Sequence, residues 1–186
     1  MATIEIKNLS LKRYDTVLLD QANLTINHED QILLHGISGS GKTSLLMAVA
    51  GKLHYSGTIQ ISPNSARVRF IPQIYDFKDN FGLHDFYYQQ RYNSYDSENS
   101  ATVFDVLKVH NKQKLAEKYL GILGLTHRIN APLIQLSSGE RKKLSIIQAL
   151  LDEPQILLID NPYIGLDTAA VELLNLLFTK DRKSVV

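Results

Sequence analysis

The sequence contains no cysteine, so neither a disulfide framework nor a thiolate metal site can form, as suits a reducing compartment. It has no excess charge of one sign either: 20 basic and 19 acidic residues leave a formal charge of +1. That balance gives no electrostatic case for wrapping nucleic acid or coating an anionic membrane, and no nucleic-acid partner is expected. The clusters Arg141-Lys142-Lys143 and Lys180 to Lys183 read as solvated surface. No apolar stretch approaches the ~20 residues of a membrane span, so direct membrane insertion is not expected and any membrane role runs through a partner. The start, Met1 to Lys7, lacks the charged segment and apolar core of a secretory signal. Internal repeats and low-complexity linkers are absent too.

What is present is ordinary in amount and specific in order. With 186 residues, 44% hydrophobic and 21% charged, the chain suits one globular domain, or a core with an inserted subdomain. Ile4 to Leu9 alternates apolar and polar residues like a half-exposed strand, and Val17-Leu18-Leu19 and Ala22 to Ile26 continue in strand fashion. Thr58 to Ser62 and Arg67 to Ile71 read as further strands. Val103 to Leu107, Gln113 to Leu123, Ser137 to Leu151 and Thr168 to Phe178 read as helices. In the third of these, Leu144, Ile147 and Leu151 fall at i, i+3 and i+7. Between Pro72-Gln73 and the first helix, residues 75–99 are rich in Tyr, Phe, Asn, Asp and Gln and have no strand pattern.

Residues 36–43 carry the most information. Gly36-Ile37-Ser38-Gly39-Ser40-Gly41-Lys42-Thr43 is a complete G-x-x-x-x-G-K-T phosphate loop, and Ser44 follows it. Gln31 to His35 before it is short and apolar, which predicts a buried parallel strand. Ser44 to Ala50 after it consists of good helix formers, with Leu45, Leu46 and Val49 able to share a face. Glycines let successive backbone N–H groups curl around phosphate oxygens, and the helix N-terminus adds its dipole. Lys42 is then the residue to reach the β- and γ-phosphates, and the Thr43 hydroxyl the one to ligate Mg²⁺. The implied ligand is a nucleoside triphosphate.

Four apolar residues, Ile156 to Ile159, end in Asp160, the position at a strand's carboxyl end where α/β sheets bind ligands. Beside a phosphate loop, that carboxylate is suited to hold Mg²⁺, usually through water. Lys42, Thr43 and Asp160 form the expected charge-handling set. The expected fold is α/β: a P-loop core with a mostly parallel sheet and an N-terminal antiparallel β element. Residues 1–75 and 146–186 would form the core and 76–145 a helical insertion.

Leu136-Ser137-Ser138-Gly139-Glu140, at a helix start just before the acidic strand, resembles the signature of ATP-binding cassette proteins, usually Leu-Ser-Gly-Gly-Gln. The order of five motifs agrees: phosphate loop, Gln73 after a strand, signature helix, acidic strand, then Gly165-Leu166-Asp167. The resemblance spans nearly the whole chain. It implies ATP and Mg²⁺ as ligands and ATP hydrolysis as the reaction, coupled to transport through a membrane partner. It also implies a head-to-tail second cassette, as a homodimer or as part of a tandem chain, with two ATP molecules between the pair. Tyr14 would stack on adenine, and Gln73 would reach Mg²⁺ and the attacking water and connect the core to the helical subdomain. Ser137 and Gly139, within the motif that Ser138 and Glu140 complete, would touch the γ-phosphate of ATP on the other cassette. Asp167 would cross between the cassettes.

Three departures bear on that inheritance. Asn161 follows Asp160 where active members usually carry glutamate; an amide cannot accept a proton from water, although it can orient one. That substitution opens an alternative, a slowly hydrolysing or non-hydrolysing ATP-binding cassette. The chain also ends at Val186, before the strand on which the family carries a histidine near the γ-phosphate, so it is expected to be a fragment of a longer protein. Ser138 replaces the usual first glycine of the signature pair. Finally, Asp85 to Ser94 is longer than a simple cassette needs and resembles tandem two-cassette ATPases related to molybdate-transport and photorepair ATP-binding proteins.

Overall fold

A computed structural model describes residues 2–28, 30–73, 101–108, 111–181 and 184–185. The stretch at 75–99, including Asp85 to Ser94, lies outside the described residues. The chain divides into two compact units, one made of Met1–Gln73, Glu153–Pro162 and Phe178–Val186, the other of Ile74–Asp152 and Tyr163–Leu177.

The first unit opens with a long hairpin, β1 (Thr3–Arg13) and β2 (Thr16–Ile26), turning at Tyr14-Asp15 with Tyr14 in the left-handed region. Alternation puts Ile4, Ile6, Leu9 and Leu11 on the buried face. The strands extend past the apolar stretch that marks them in the sequence, because bulges re-register the pair and side chains serve the ladder. Asn23 accepts the Asn8 N–H at 3.0 Å, and Ser10 Oγ accepts the Gln21 N–H at 3.0 Å. β3 (Ser56–Ser62) joins the other edge of β1, giving an antiparallel sheet in the order β2-β1-β3.

A second, parallel sheet has the order β4-β5-β6, from Val68–Ile71, Ile156–Ile159 and Ser184–Val185. All four residues of β5 are buried, as an unbroken apolar run predicts for a strand covered on both faces. Helix α1 (Lys42–Val49) contributes Leu46, Ala48 and Val49 to the core shared with Ile156, Leu158 and the inner face of β1. Each leucine, isoleucine or valine among these, fully buried, stabilises by about 1.5–3 kcal/mol.

One expectation fails here. Residues 32–35 form no strand among the described residues, and Leu33 is 75% exposed. Ile32 and Leu34 of this segment pack on the core, and the Gln31 side-chain amide donates to the Phe178 carbonyl at 2.9 Å. Along β5, β4 pairs with all four residues and β6 with Ile156 and Leu157. A one-sided apolar segment of this length looks the same in sequence as a two-sided one.

The second unit is helical: α2 (Val103–Lys108), α3 (Gln113–Ile122), α4 (Ser138–Leu151) and the first turns of α5 (Thr168–Asp181), with short 3₁₀ turns at Thr126–Arg128 and Leu133–Gln135. Thr102 and Asp105 cap α2 reciprocally: the Thr102 hydroxyl accepts the Asp105 N–H and the Asp105 carboxylate accepts the Thr102 N–H. The core gathers Val103, Leu107, Ala116, Tyr119, Leu120, Leu123, Leu125 and Leu133 around α4. Leu144, Ile147 and Leu151 are buried as their spacing predicts, but so are Ser145, Ile146, Ala149 and Leu150. Helix α4 is thus apolar nearly all round in its second half, the pattern of a central helix.

Candidate functional site

The phosphate loop turns on Gly39 (φ 82°) and Gly41 (φ 92°), both in the left-handed region that side chains resist. Gly41 is also the N-cap of α1, with no side-chain cap, and the first turn of the helix holds no acidic residue. Its leading N–H groups and positive dipole end therefore meet no acid from the helix's own first turn. Lys42 folds back over the loop, Nζ donating to the Gly36 carbonyl at 2.9 Å and the Ile37 carbonyl at 2.7 Å, with Ser40 Oγ at 3.4 Å. Ile37, Ser38 and Gly39 are exposed. Ser44 follows in the first turn of α1.

Thr43 and Asp160 meet. Thr43 Oγ1 lies 2.9 and 3.1 Å from the two carboxylate oxygens and donates to them. Asp160 is 6% exposed and extends the β4–β5 ladder by one bond, its N–H donating to the Ile71 carbonyl at 2.9 Å. A hydroxyl and a carboxylate side by side form a hard-oxygen pair suited to Mg²⁺, which prefers few protein ligands beside substrate phosphates and water. Among the described residues no group of three His, Cys, Asp or Glu residues forms a metal cage.

Because β4 and β5 end in register, Ile71 opposite Ile159, the residues after them emerge together. Asn161 takes a left-handed backbone (φ 48°), and its Nδ2 donates to Gln73 Oε1 at 2.8 Å. The structure thus brings Thr43 to Asp160 and Gln73 to Asn161. Tyr14 stands on the hairpin turn, 90% exposed.

In the helical unit, Ser137 caps α4 in a complete capping box: Ser137 Oγ accepts the Glu140 N–H at 3.2 Å, and Glu140 Oε2 accepts the Ser137 N–H at 2.8 Å. The other carboxylate oxygen, Oε1, is 2.7 Å from Arg128 Nε. Partial burial pushes the Glu140 pKa up, but the bonds from Ser137 and the Arg128 guanidinium outweigh it and hold the carboxyl below its ordinary 4.5. A depressed folded-state pKa makes the clasp complete above about pH 4.5 and loses it as pH falls through the lowered value. Thermal midpoints of wild type and Glu140→Gln, compared from pH 7 to 3, should converge toward the acid end. The gap at neutral pH should be about 1 kcal/mol or less, since the pair is partly exposed.

Gly139 is buried, and a Cβ there would run into the carbonyl oxygen of Gly165. Ser138 Oγ lies near the same loop, 3.3 Å from where a Gly165 Cβ would stand. Asp167 Oδ1 accepts the Ala170 N–H at 2.7 Å, capping α5. Two glycines far apart in sequence thus pack the signature helix start against the loop that leads to Asp167. Gly139→Ala is expected to lower unit stability by about 1–3 kcal/mol in urea unfolding, because backbone, not a flexible side chain, must yield. Neither this contact nor Arg128 is signalled locally in the sequence.

The family profile described as "ABC transporter" matches residues 19–164. The chain is 26% identical over 193 residues to a Thermotoga maritima protein described as "Probable metal transport system ATP-binding protein", covering all of this chain and 74% of that one. It is 29% identical over 167 residues to a Pseudomonas syringae protein described as "Aliphatic sulfonates import ATP-binding protein SsuB 2", covering 89% of this chain and 54% of that one. A solved structure described as "Structure of ATP binding subunit of ABC transporter" superposes with a TM-score of 0.74 at 20% identity, over 98% of this chain and 77% of that one. The chain therefore spans between about half and three-quarters of the length of these relatives.

Proposed function

The chain belongs to the ATP-binding cassette family, and from that premise we propose that it binds Mg·ATP at the phosphate loop, pairs with a second cassette and hydrolyses ATP to drive a membrane transport partner. The observation that carries this is the meeting of loop and acidic strand: Lys42 over the loop carbonyls, and Thr43 within 2.9 Å of Asp160. In this reading Lys42 exchanges its carbonyl partners for β- and γ-phosphate oxygens, while the uncapped α1 N-terminus and Gly36 to Ser44 cradle the phosphates. Tyr14 offers its exposed ring to adenine. Mg²⁺, when bound, would neutralise developing phosphate charge as a Lewis acid, and Thr43 and Asp160 are the residues to hold it, with Gln73 at its rim.

The helical unit serves the partner. The start of α4, with Ser137, Ser138, Gly139 and Glu140, faces the γ-phosphate of ATP on the other cassette, and Asp167 crosses the pairing interface. No helix among the described residues is long and apolar enough to cross a membrane. In this reading the cassette attaches at the inner face through a transporter subunit. The relatives' descriptions as ATP-binding transport components support this.

A second reading has its own observation. Asn161 offers water no carboxylate and instead donates to Gln73 at 2.8 Å, which favours a cassette that holds ATP and turns it over slowly. Phosphate release from Mg·ATP, with Lys42→Ala as blank, separates the two. Release well above the blank makes the chain a working ATPase, and release at the blank with ATP bound makes it a nucleotide-holding module.

A further inference from the structure

The family signature usually ends in a neutral amide, whereas here it ends in the carboxylate of Glu140. An acid in the first turn suits the helix itself, since it completes the capping box and complements the dipole. It does not suit a polyphosphate, which a bare carboxylate at the same helix end would repel. The structure places a counter-charge on it. Arg128 reaches Glu140 across 12 positions of sequence, Nε to Oε1 at 2.7 Å, with the Glu140 side chain only 17% exposed.

The backbone that carries Arg128 is fixed on both sides. The Arg128 N–H donates to the Leu125 carbonyl at 2.9 Å and the Arg128 carbonyl accepts the Ala131 N–H at 2.8 Å, with Leu125 and Leu133 buried to either side. The bond is directional and charge-assisted, the kind for which arginine is better suited than lysine. With one oxygen of Glu140 on Arg128 and the other on the Ser137 N–H, the carboxylate is held down against the helix start.

We propose that Arg128 is a positioning residue for the α4 phosphate contact: it neutralises and anchors Glu140, so that the start of the helix accepts the nucleotide of a second cassette without an opposing charge. This rests on the reading of α4 as a contact for the other cassette's ATP. An isolated, partly exposed ion pair adds little to stability, so a merely structural role predicts a small change in melting and none in pairing. A positioning role predicts the same small change in melting together with weakened pairing.

The test is self-association of the chain by sedimentation velocity in Mg²⁺ and the slowly hydrolysed analogue ATPγS, beside calorimetric affinity for the same nucleotide at concentrations where the chain is monomeric. Arg128→Ala should leave the monomer's affinity within about twofold and weaken association about tenfold or more, the scale of an uncompensated like-charge contact. Adding Glu140→Gln to Arg128→Ala should recover association to within about threefold, because the charge that needed a partner is gone. Association of Arg128→Ala equal to wild type, or a double variant still as weak as the single one, overturns the proposal. A wild-type chain with no nucleotide-dependent association overturns instead the reading of α4 as a contact for a second nucleotide, and Arg128's role falls with it.

Discussion

Lys42→Ala should lower affinity for Mg·ATP by about 10²-fold or more, since each charge-assisted bond to phosphate contributes roughly 1.5–3 kcal/mol and the lysine is placed to make more than one. The fold should hardly notice. The partners of Nζ are the carbonyls of Gly36 and Ile37, in an exposed stretch of loop where water can replace them. The core contacts of α1 come from Leu46, Ala48 and Val49, which the substitution leaves alone. Alanine is moreover the better helix former in the first turn of α1. Isothermal titration with ATP in Mg²⁺, next to a thermal melt of both proteins, checks the two halves together. Unchanged affinity would sink the assignment of the loop, whereas lost affinity with a lowered melting temperature would mean that the variant had damaged the core.

The loop was legible because everything it needs is local. Glycines at 39 and 41 answer to left-handed backbone, and the helix formers after Lys42 answer to α1, all within a dozen residues of sequence. The same holds for β5, whose apolar run and terminal acid dictate burial and the place of Asp160. The segment before the loop is apolar enough for a strand, but strand formation needs a neighbouring edge, which an apolar run does not report. The residues that do pair beside β5, Ser184–Val185, lie far along the chain. In helix α4 the spacing of Leu144, Ile147 and Leu151 marks one face, yet its second half is buried nearly all round, since periodicity reports which residues are apolar and not how many neighbours surround them. The clasp of Arg128 on Glu140 and the packing of Gly139 on Gly165 lie beyond sequence reading for one reason. Each joins residues that only the tertiary fold makes neighbours.

Asn161→Glu should raise the rate of phosphate release by about 10²-fold or more, the contribution expected of a positioned general base. The geometry adds two conditions to that expectation. Asn161 has φ 48°, a backbone region where asparagine is at ease and a longer side chain is less so, so the variant should lose a little stability. The carboxylate also cannot donate to Gln73 Oε1 as Asn161 Nδ2 does at 2.8 Å. The pair survives only if Gln73 turns its amide over and presents Nε2, which points its carbonyl elsewhere and frees it for a metal or a water. Asn161→Asp separates these effects. It is nearly isosteric, keeps the tolerated backbone and forces the same turn of Gln73, but its carboxylate is one methylene shorter. A gain in Asn161→Glu alone assigns the limitation to the missing base. Equal gains in both variants assign a share to the release of Gln73. If neither variant gains in a preparation that binds ATP and pairs, Asn161 is not what limits turnover, and the reading of this cassette as degenerate at that residue fails.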